Sequence, residues 1–297
     1  MKGILYFLIF PALIISILSC DNTNGTVNNE TMETDINIVF LHHSTGSYIW
    51  NGINRTILVK IADRVSPWLF EFITGGPRVP SLMRQYNEKN HTRYSFTEME
   101  FPKKSPYGWN NYPYDYYNIW VKNGGPTPYM EEPTLEMLTQ QYQVIVFKHC
   151  YPSSNIVENQ DSADIHSEIK TLANYKLQYN ALKRKMHEFP NTKFIVSTGA
   201  VQVKYYLPQD QALRAKEFHN WVINEWNEQG DNIFIWDLYE LQTEGELYFK
   251  DEWALTPYNS HPGGKFSEKA SQLFFNRVLD IVEHNGENTA LTGQGLK

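Results

Sequence analysis

Short, almost wholly apolar runs alternate along this chain with longer stretches in which apolar residues recur every three or four positions. "INIVFL" (36–41) is the first such run, followed by "YQVIVFKHC" (142–150), "TKFIVSTGA" (192–200) and "DNIFIWDL" (231–238). Continuous apolar runs of this length are expected of strands covered on both faces. Ile165, Ile169, Leu172, Tyr179, Leu182 and Met186 fall on one helical face, as do Ala215, Phe218, Val222 and Trp226, and later Phe266, Ala270, Leu273, Phe274, Val278 and Ile281. Stripes with that period predict helices packed on a sheet. Strand–helix alternation of this kind predicts an α/β fold: a parallel sheet with right-handed crossovers and helices on both faces. Residues from about 64 to 140 break the rhythm with "SPW", "GGPRVP" and "FPKKSPYGWNNYPYDYYNIWVKNGGPTPY". A weak strand, "YSFTEMEF" (94–101), runs through this stretch. The remainder reads as long, aromatic-rich loop insertions at the sheet's carboxyl edge, where loops of such length are usually functional.

The N-terminus follows a different pattern. Lys2 precedes an apolar run from Ile4 to Leu18, too short for the about 20 residues of a spanning helix and suited to a secretory signal. The run ends in "ILSC", which resembles the lipobox of bacterial lipoproteins, with Cys20 as the residue that would carry lipid. Polar, Asn- and Thr-rich residues 21–34 read as a tether too poor in apolar residues to pack. The expected organisation is therefore a signal peptide over 1–20, a tether over 21–34 and one folded domain over 35–290. With lipid on Cys20 the domain would hang from a membrane of a bacterial envelope without crossing it.

Composition narrows the chemistry. A net charge of −7 with no Lys/Arg-rich run argues against nucleic acid as a partner, since phosphates call for a basic footprint. Once Cys20 is assigned to the anchor, Cys150 stands alone, and neither a disulfide framework nor a CxxC metal signature is present. No HxH, HExxH or Asp-rich spacing groups His42 or His43 with His149 and His261 as zinc ligands, so no metal or other cofactor is expected.

In an open parallel sheet, ligands bind beyond the carboxyl ends of the strands. Three polar clusters fall there: "HHSTG" (42–46), "KHCYPSSN" (148–155) and "YNSHPGG" (258–264). Ser44 is the first side chain that would stand free above the sheet, and a serine hydroxyl needs a base to become a nucleophile. His261, in a turn before the last helical stretch, is the best candidate. Gly108 and Asn155 lie in loops that would supply oxyanion donors.

Taken together, a first strand ending at serine, a glycine after the second strand, an asparagine after the third and an "HP" ahead of the last helix resemble the SGNH/GDSL hydrolase family. The resemblance spans about residues 36–285. It implies a flavodoxin-like three-layer α/β/α domain that hydrolyses esters, often acetyl groups on carbohydrates. Carried over, Ser44 would be the nucleophile with its own N–H in the oxyanion hole, Gly108 and Asn155 the other donors, and His261 the base. The family's Gly-Asp-Ser is here His42-His43-Ser44, and Ser153 or Ser154 competes with Asn155. Tyr258 stands where the family has its acid. Asn259 would hold the imidazole by a hydrogen bond, Asp251 or Glu252 would replace the acid from the preceding loop, or the site would run as a Ser-His dyad. His42, His43, Lys148 and His149 are expected to wall and support the site. Of the aromatics over 105–129, Trp109, Tyr112 and Trp120 would offer a sugar-stacking platform, with a core beneath a long loop as the alternative. The expected function is a serine esterase acting on an acylated carbohydrate. The same nucleophile would also serve acyl transfer, and a non-catalytic glycan-binding lipoprotein on the same fold is the rival.

Overall fold

A computed structural model describes residues 35–296 apart from 54–56, 104, 108–109 and 160–161. In chain order its elements are β1 (Ile36–His42), α1 (Ser44–Asn51), α2 (Ile57–Val65), α3 (Pro67–Thr74), α4 (Arg78–Asn90), β2 (Tyr94–Glu100), α5 (Pro113–Tyr116), α6 (Leu135–Leu138), β3 (Val144–Lys148), α7 (Leu172–His187), β4 (Lys193–Ser197), α8 (Gln209–Trp221), β5 (Ile233–Trp236), α9 (Leu238–Thr243), β6 (Ala254–Thr256), β7 (Asn259–Pro262) and α10 (Gly264–His284). Strands β1 to β5 form one wholly parallel sheet in the order β2-β1-β3-β4-β5, and β6 and β7 form a separate antiparallel ribbon.

Because side chains alternate across a strand, each apolar run feeds two cores. Ile38, Phe40, Val144 and Val146 pack with α1, α4 and α10 through Ile49, Trp50, Val79, Met83, Phe274 and Val278. Val39, Leu41, Ile145 and Phe147 face the other way, onto Tyr116, Trp120, Tyr175, Tyr179, Phe218 and Val222. The result is a central sheet with helices on both sides. Strand order reverses between β1 and β3, which opens a crevice at their carboxyl ends.

The structure departs from the sequence reading in the stretch from 64 to 90, where α3 and α4 replace expected loops. The Pro and Gly residues there punctuate short helices rather than abolish them. Pro67 opens α3, and Gly75 (φ 77°) closes it in the left-handed region. The helix expected from Ile165 begins only at Leu172, because the Thr171 side chain accepts the Asn174 N–H (3.2 Å) and caps it there.

The largest correction concerns residues 112–120. Tyr112, Tyr116 and Trp120 are buried, Trp120 completely. Trp120 stacks on Phe101 with centroids 5.1 Å apart and donates its indole N–H to the Pro133 carbonyl. Tyr112 donates its hydroxyl to the Glu168 carbonyl. These rings fill one core and have no face left for a sugar. Trp109 and Gly108 lie outside the described residues.

Candidate active site

β1 delivers the chain to the crevice, and a single extended residue, His43 (φ −120°, ψ −160°), turns it into α1 with Ser44 as first helical residue. The first intrahelical bond runs from the Ser47 N–H to the His43 carbonyl, so the amides of Ser44, Thr45 and Gly46 precede the ladder. They point where a helix terminus attracts negative charge. His42 supports this turn from below. Its Nδ1 lies 2.8 Å from the His43 carbonyl and its Nε2 2.8 Å from Glu98 Oε2. The two contacts fix the ring's orientation beneath the turn. Gly46 is the residue that lets α1 close over that ring, since a Cβ there would come within 2.4 Å of His42 Cβ and Cγ. His43 meets the Pro102 carbonyl through Nε2 and Glu100 through Nδ1 (3.4 Å), and burial lowers its pKa.

His261 arrives from the β6–β7 ribbon, not from the simple turn expected of "HPGG". Its Nε2 lies 3.0 Å from Ser44 Oγ, and its Nδ1 lies 2.8 Å from Asn259 Oδ1. The same Oδ1 accepts the His261 backbone N–H at 3.0 Å. A backbone N–H only donates, so that atom is the amide oxygen, which in turn requires Nδ1 to carry hydrogen. Nε2 is then the lone-pair nitrogen, facing the serine hydroxyl.

The ribbon is held in place on several sides. Ser260 Oγ accepts the Val203 N–H at 3.1 Å from the loop after β4, and the Gly263 N–H reaches the Trp253 carbonyl at 2.8 Å. A Cβ on Gly263 would sit 2.9 Å from the Ala254 carbonyl oxygen, so the first glycine of "PGG" permits that close approach.

Two tyrosines that the sequence reading did not single out wall the imidazole. Tyr48 lies 5.2 Å from it and Tyr151 5.3 Å, the latter edge-on at 85°. Tyr48 is four residues after Ser44, hence one helical turn along the same face, a spacing that offered a signal. A third group is exposed. Tyr205 makes near-perpendicular contacts with Tyr206 (4.9 Å) and Tyr258 (4.7 Å), and all three rings are more than half exposed. Tyr258 immediately precedes Asn259.

Asn155 sits after the short 3-10 turn Tyr151–Ser154, where its amide donates to Gln211 (3.2 Å) and accepts from Gln202 (2.6 Å). Ser154 donates to the Tyr151 carbonyl. Asp251 and Glu252 are exposed on the turn before β6, and Asn259 is the residue that meets Nδ1. Cys20 lies outside the described residues.

Behind the β3 end, Lys148 is fully buried and donates to the His149 carbonyl at 2.9 Å. Burial lowers its pKa. His149 is equally buried, and neither ring nitrogen has a hydrogen-bond partner among the described residues. Burial, reinforced by Lys148, pushes its pKa down to about 3. It borders a cavity of about 20 Å³, of water-molecule size, shared with Ser153, Thr198, His219 and Tyr239. His219 is held there by Asp237 at 2.9 and 3.1 Å. Among the described residues no three His, Cys, Asp or Glu side chains converge as metal ligands. No known protein family's profile matches the chain, and no curated protein matches it.

Proposed function

We propose that the protein is a serine esterase of SGNH type, acting on an ester-linked acyl group of a carbohydrate. The observation that carries this reading is the unbroken chain Ser44 Oγ–His261 Nε2 (3.0 Å) and His261 Nδ1–Asn259 Oδ1 (2.8 Å), with Ser44 at a helix N-terminus. Ser44 Oγ attacks the ester carbonyl as His261 Nε2 takes its proton. Asn259 keeps the imidazole in the accepting tautomer and orientation, though as a neutral amide it gives the imidazolium less stabilisation than a carboxylate would. Negative charge developing on the carbonyl oxygen meets the first amides of α1, including that of Ser44 itself. His261 then returns the proton to the sugar oxygen as it leaves, and water releases the acyl group by the same route.

The strand order supports the flavodoxin-like assignment, because 2-1-3-4-5 is the order of flavodoxin-like sheets and the site stands at their β1/β3 switch point. In this reading the sugar stacks on Tyr205, Tyr206 and Tyr258, whose exposed flat apolar faces and polar edges suit a ring that stays wet on one side. Export and lipid attachment at Cys20 complete the reading, which puts the domain on a membrane of a bacterial envelope.

A fluorophosphonate probe tests the chemistry. Wild-type protein should be labelled on Ser44 and the Ser44→Ala variant left unlabelled. Wild-type protein that binds acetylated glycans yet resists the probe would instead establish a non-catalytic glycan-binding lipoprotein.

A further inference from the structure

Helices α2 and α3 form a pair that is apolar on two sides. Inward, Val59, Ala62 and Phe70 make a small core of their own, with Ile53 and Leu69 against it. Outward, Ile57, Leu58, Ile61 and Val65 on α2 and Trp68, Phe72 and Ile73 on α3 are exposed, Ile57 at 77% and Phe72 at 75%. Trp68 and Phe72 stack on one another with centroids 5.4 Å apart, presenting a continuous aromatic surface. Single exposed apolar residues are ordinary on a protein surface, whereas a contiguous group of this size marks a contact surface.

We propose that this outer face of α2 and α3 docks the domain onto a lipid bilayer, lying in the interface without crossing it. Trp, Phe and branched aliphatic side chains on a short helix pair, with Arg64 and Glu71 exposed among them, are the chemistry of an interfacial segment. Among the described residues no helix is long and apolar enough to cross a membrane.

The sequence ahead of the domain names the occupant. The apolar run Ile4–Leu18 and Cys20 lie ahead of Asp35, separated from it only by the polar segment 21–34. Fully extended, that segment spans at most about 50 Å, roughly the diameter of a domain of this size. A bilayer holding Cys20 would therefore stay within about one domain diameter of Asp35, and an exposed apolar face is what gains by meeting it. The proposal rests on the lipid-anchored reading for proximity, but the docking face itself is tested separately.

Full-length protein is mixed with phosphatidylcholine–phosphatidylglycerol vesicles whose acyl chains are brominated or unbrominated, and tryptophan emission is recorded. Bromine quenches only indole rings at the acyl boundary. Wild-type emission should fall in brominated vesicles, and Trp68→Phe should abolish most of that fall. Replacing Ile61 and Phe72 together by Ser should weaken vesicle partitioning about 100-fold or more, with turnover of a water-soluble ester unchanged as the check on folding.

Protein that sediments with vesicles while its emission ignores bromine overturns the docking face and leaves the anchor standing. Mass analysis showing Cys20 unmodified removes the anchor, while quenching through Trp68 would still uphold the face. A dimer in solution that Trp68→Ser dissolves, with no quenching on vesicles, assigns the face to a second copy and overturns the proposal.

Discussion

Two histidines stand at the carboxyl edge of the sheet, and their circumstances are opposite. His261 lies in a ribbon outside the sheet, between Tyr48 and Tyr151, with Ser44 on one nitrogen and Asn259 on the other. His149 lies just past β3, wholly enclosed among Tyr116, Phe147 and Tyr179, with neither nitrogen hydrogen-bonded among the described residues. The sequence reading assigns the base to "SHP" and a walling role to "KHC". The difference comes from what flanks them. β3 is buried along its whole length and carries its last residues into the core, whereas the two-residue turn of the ribbon returns Asn259 and His261 to the edge on the same face of β7.

The comparison fails if the two histidines turn out to matter equally. For His261→Gln the expected loss in turnover of an activated acetyl ester is about 10⁴-fold or more, and Ser44→Ala should match it. The double variant should be no worse than either single one, because the two residues act as a unit. His149→Phe should stay within about threefold of wild type, since its ring touches only walls. A loss at His149 comparable to that at His261 would move the reaction centre into the buried cavity.

Asn259 sharpens the contrast by one step. Asn259→Ala removes the partner of Nδ1 and frees the imidazole to rotate, so turnover should drop about 10- to 100-fold with KM nearly unchanged. Asn259→Asp retains an acceptor at the same place and adds the charge an imidazolium welcomes, so turnover should recover to wild type or exceed it. An Asp variant as poor as the Ala variant would mean that Nδ1 is held by something else. A smaller effect is expected at the walls. Tyr151→Leu and Tyr48→Leu should each cost about tenfold or less in turnover, through a loosened ring.

Much of the scaffold was legible in the sequence because the strands are buried on both faces. "INIVFL", "VIVFK", "KFIVS" and "IFIW" need no partner to be recognised, and together with the last long stripe they place Ser44 and His261 at one edge of the sheet. The ribbon was not legible, since "ALT" and "NSHP" are too short and too polar to carry a period. For the same reason Asn259 could be weighed against Asp251 and Glu252 but not chosen. The platform expected at Tyr112 and Trp120 gave way to its alternative, a core beneath a long loop, because composition does not say which way a ring faces. Residues 112–120 turn inward over the sheet. Tyr205, Tyr206 and Tyr258, scattered in sequence, gather outside it.

The smallest expected effect lies in stability rather than turnover. His149 has a folded pKa of about 3, well below the 6.5 of an unhindered imidazole, because burial disfavours the cation. The unfolded chain therefore binds a proton that the folded protein refuses, and the stability this neutral ring allows is present above about pH 6.5 and lost as pH falls toward 3. That loss should amount to about 2 kcal/mol at pH 5 relative to pH 8. His149→Phe removes the titration together with the two ring nitrogens that lack partners among the described residues. Urea unfolding should show the variant as stable as wild type or more so at pH 8, with its advantage growing by about 2 kcal/mol at pH 5. His261→Gln leaves His149 in place, so it should retain the wild-type acid loss. If the acid loss of stability instead persists in His149→Phe and vanishes in His261→Gln, the assignment of one histidine to chemistry and the other to the core is reversed.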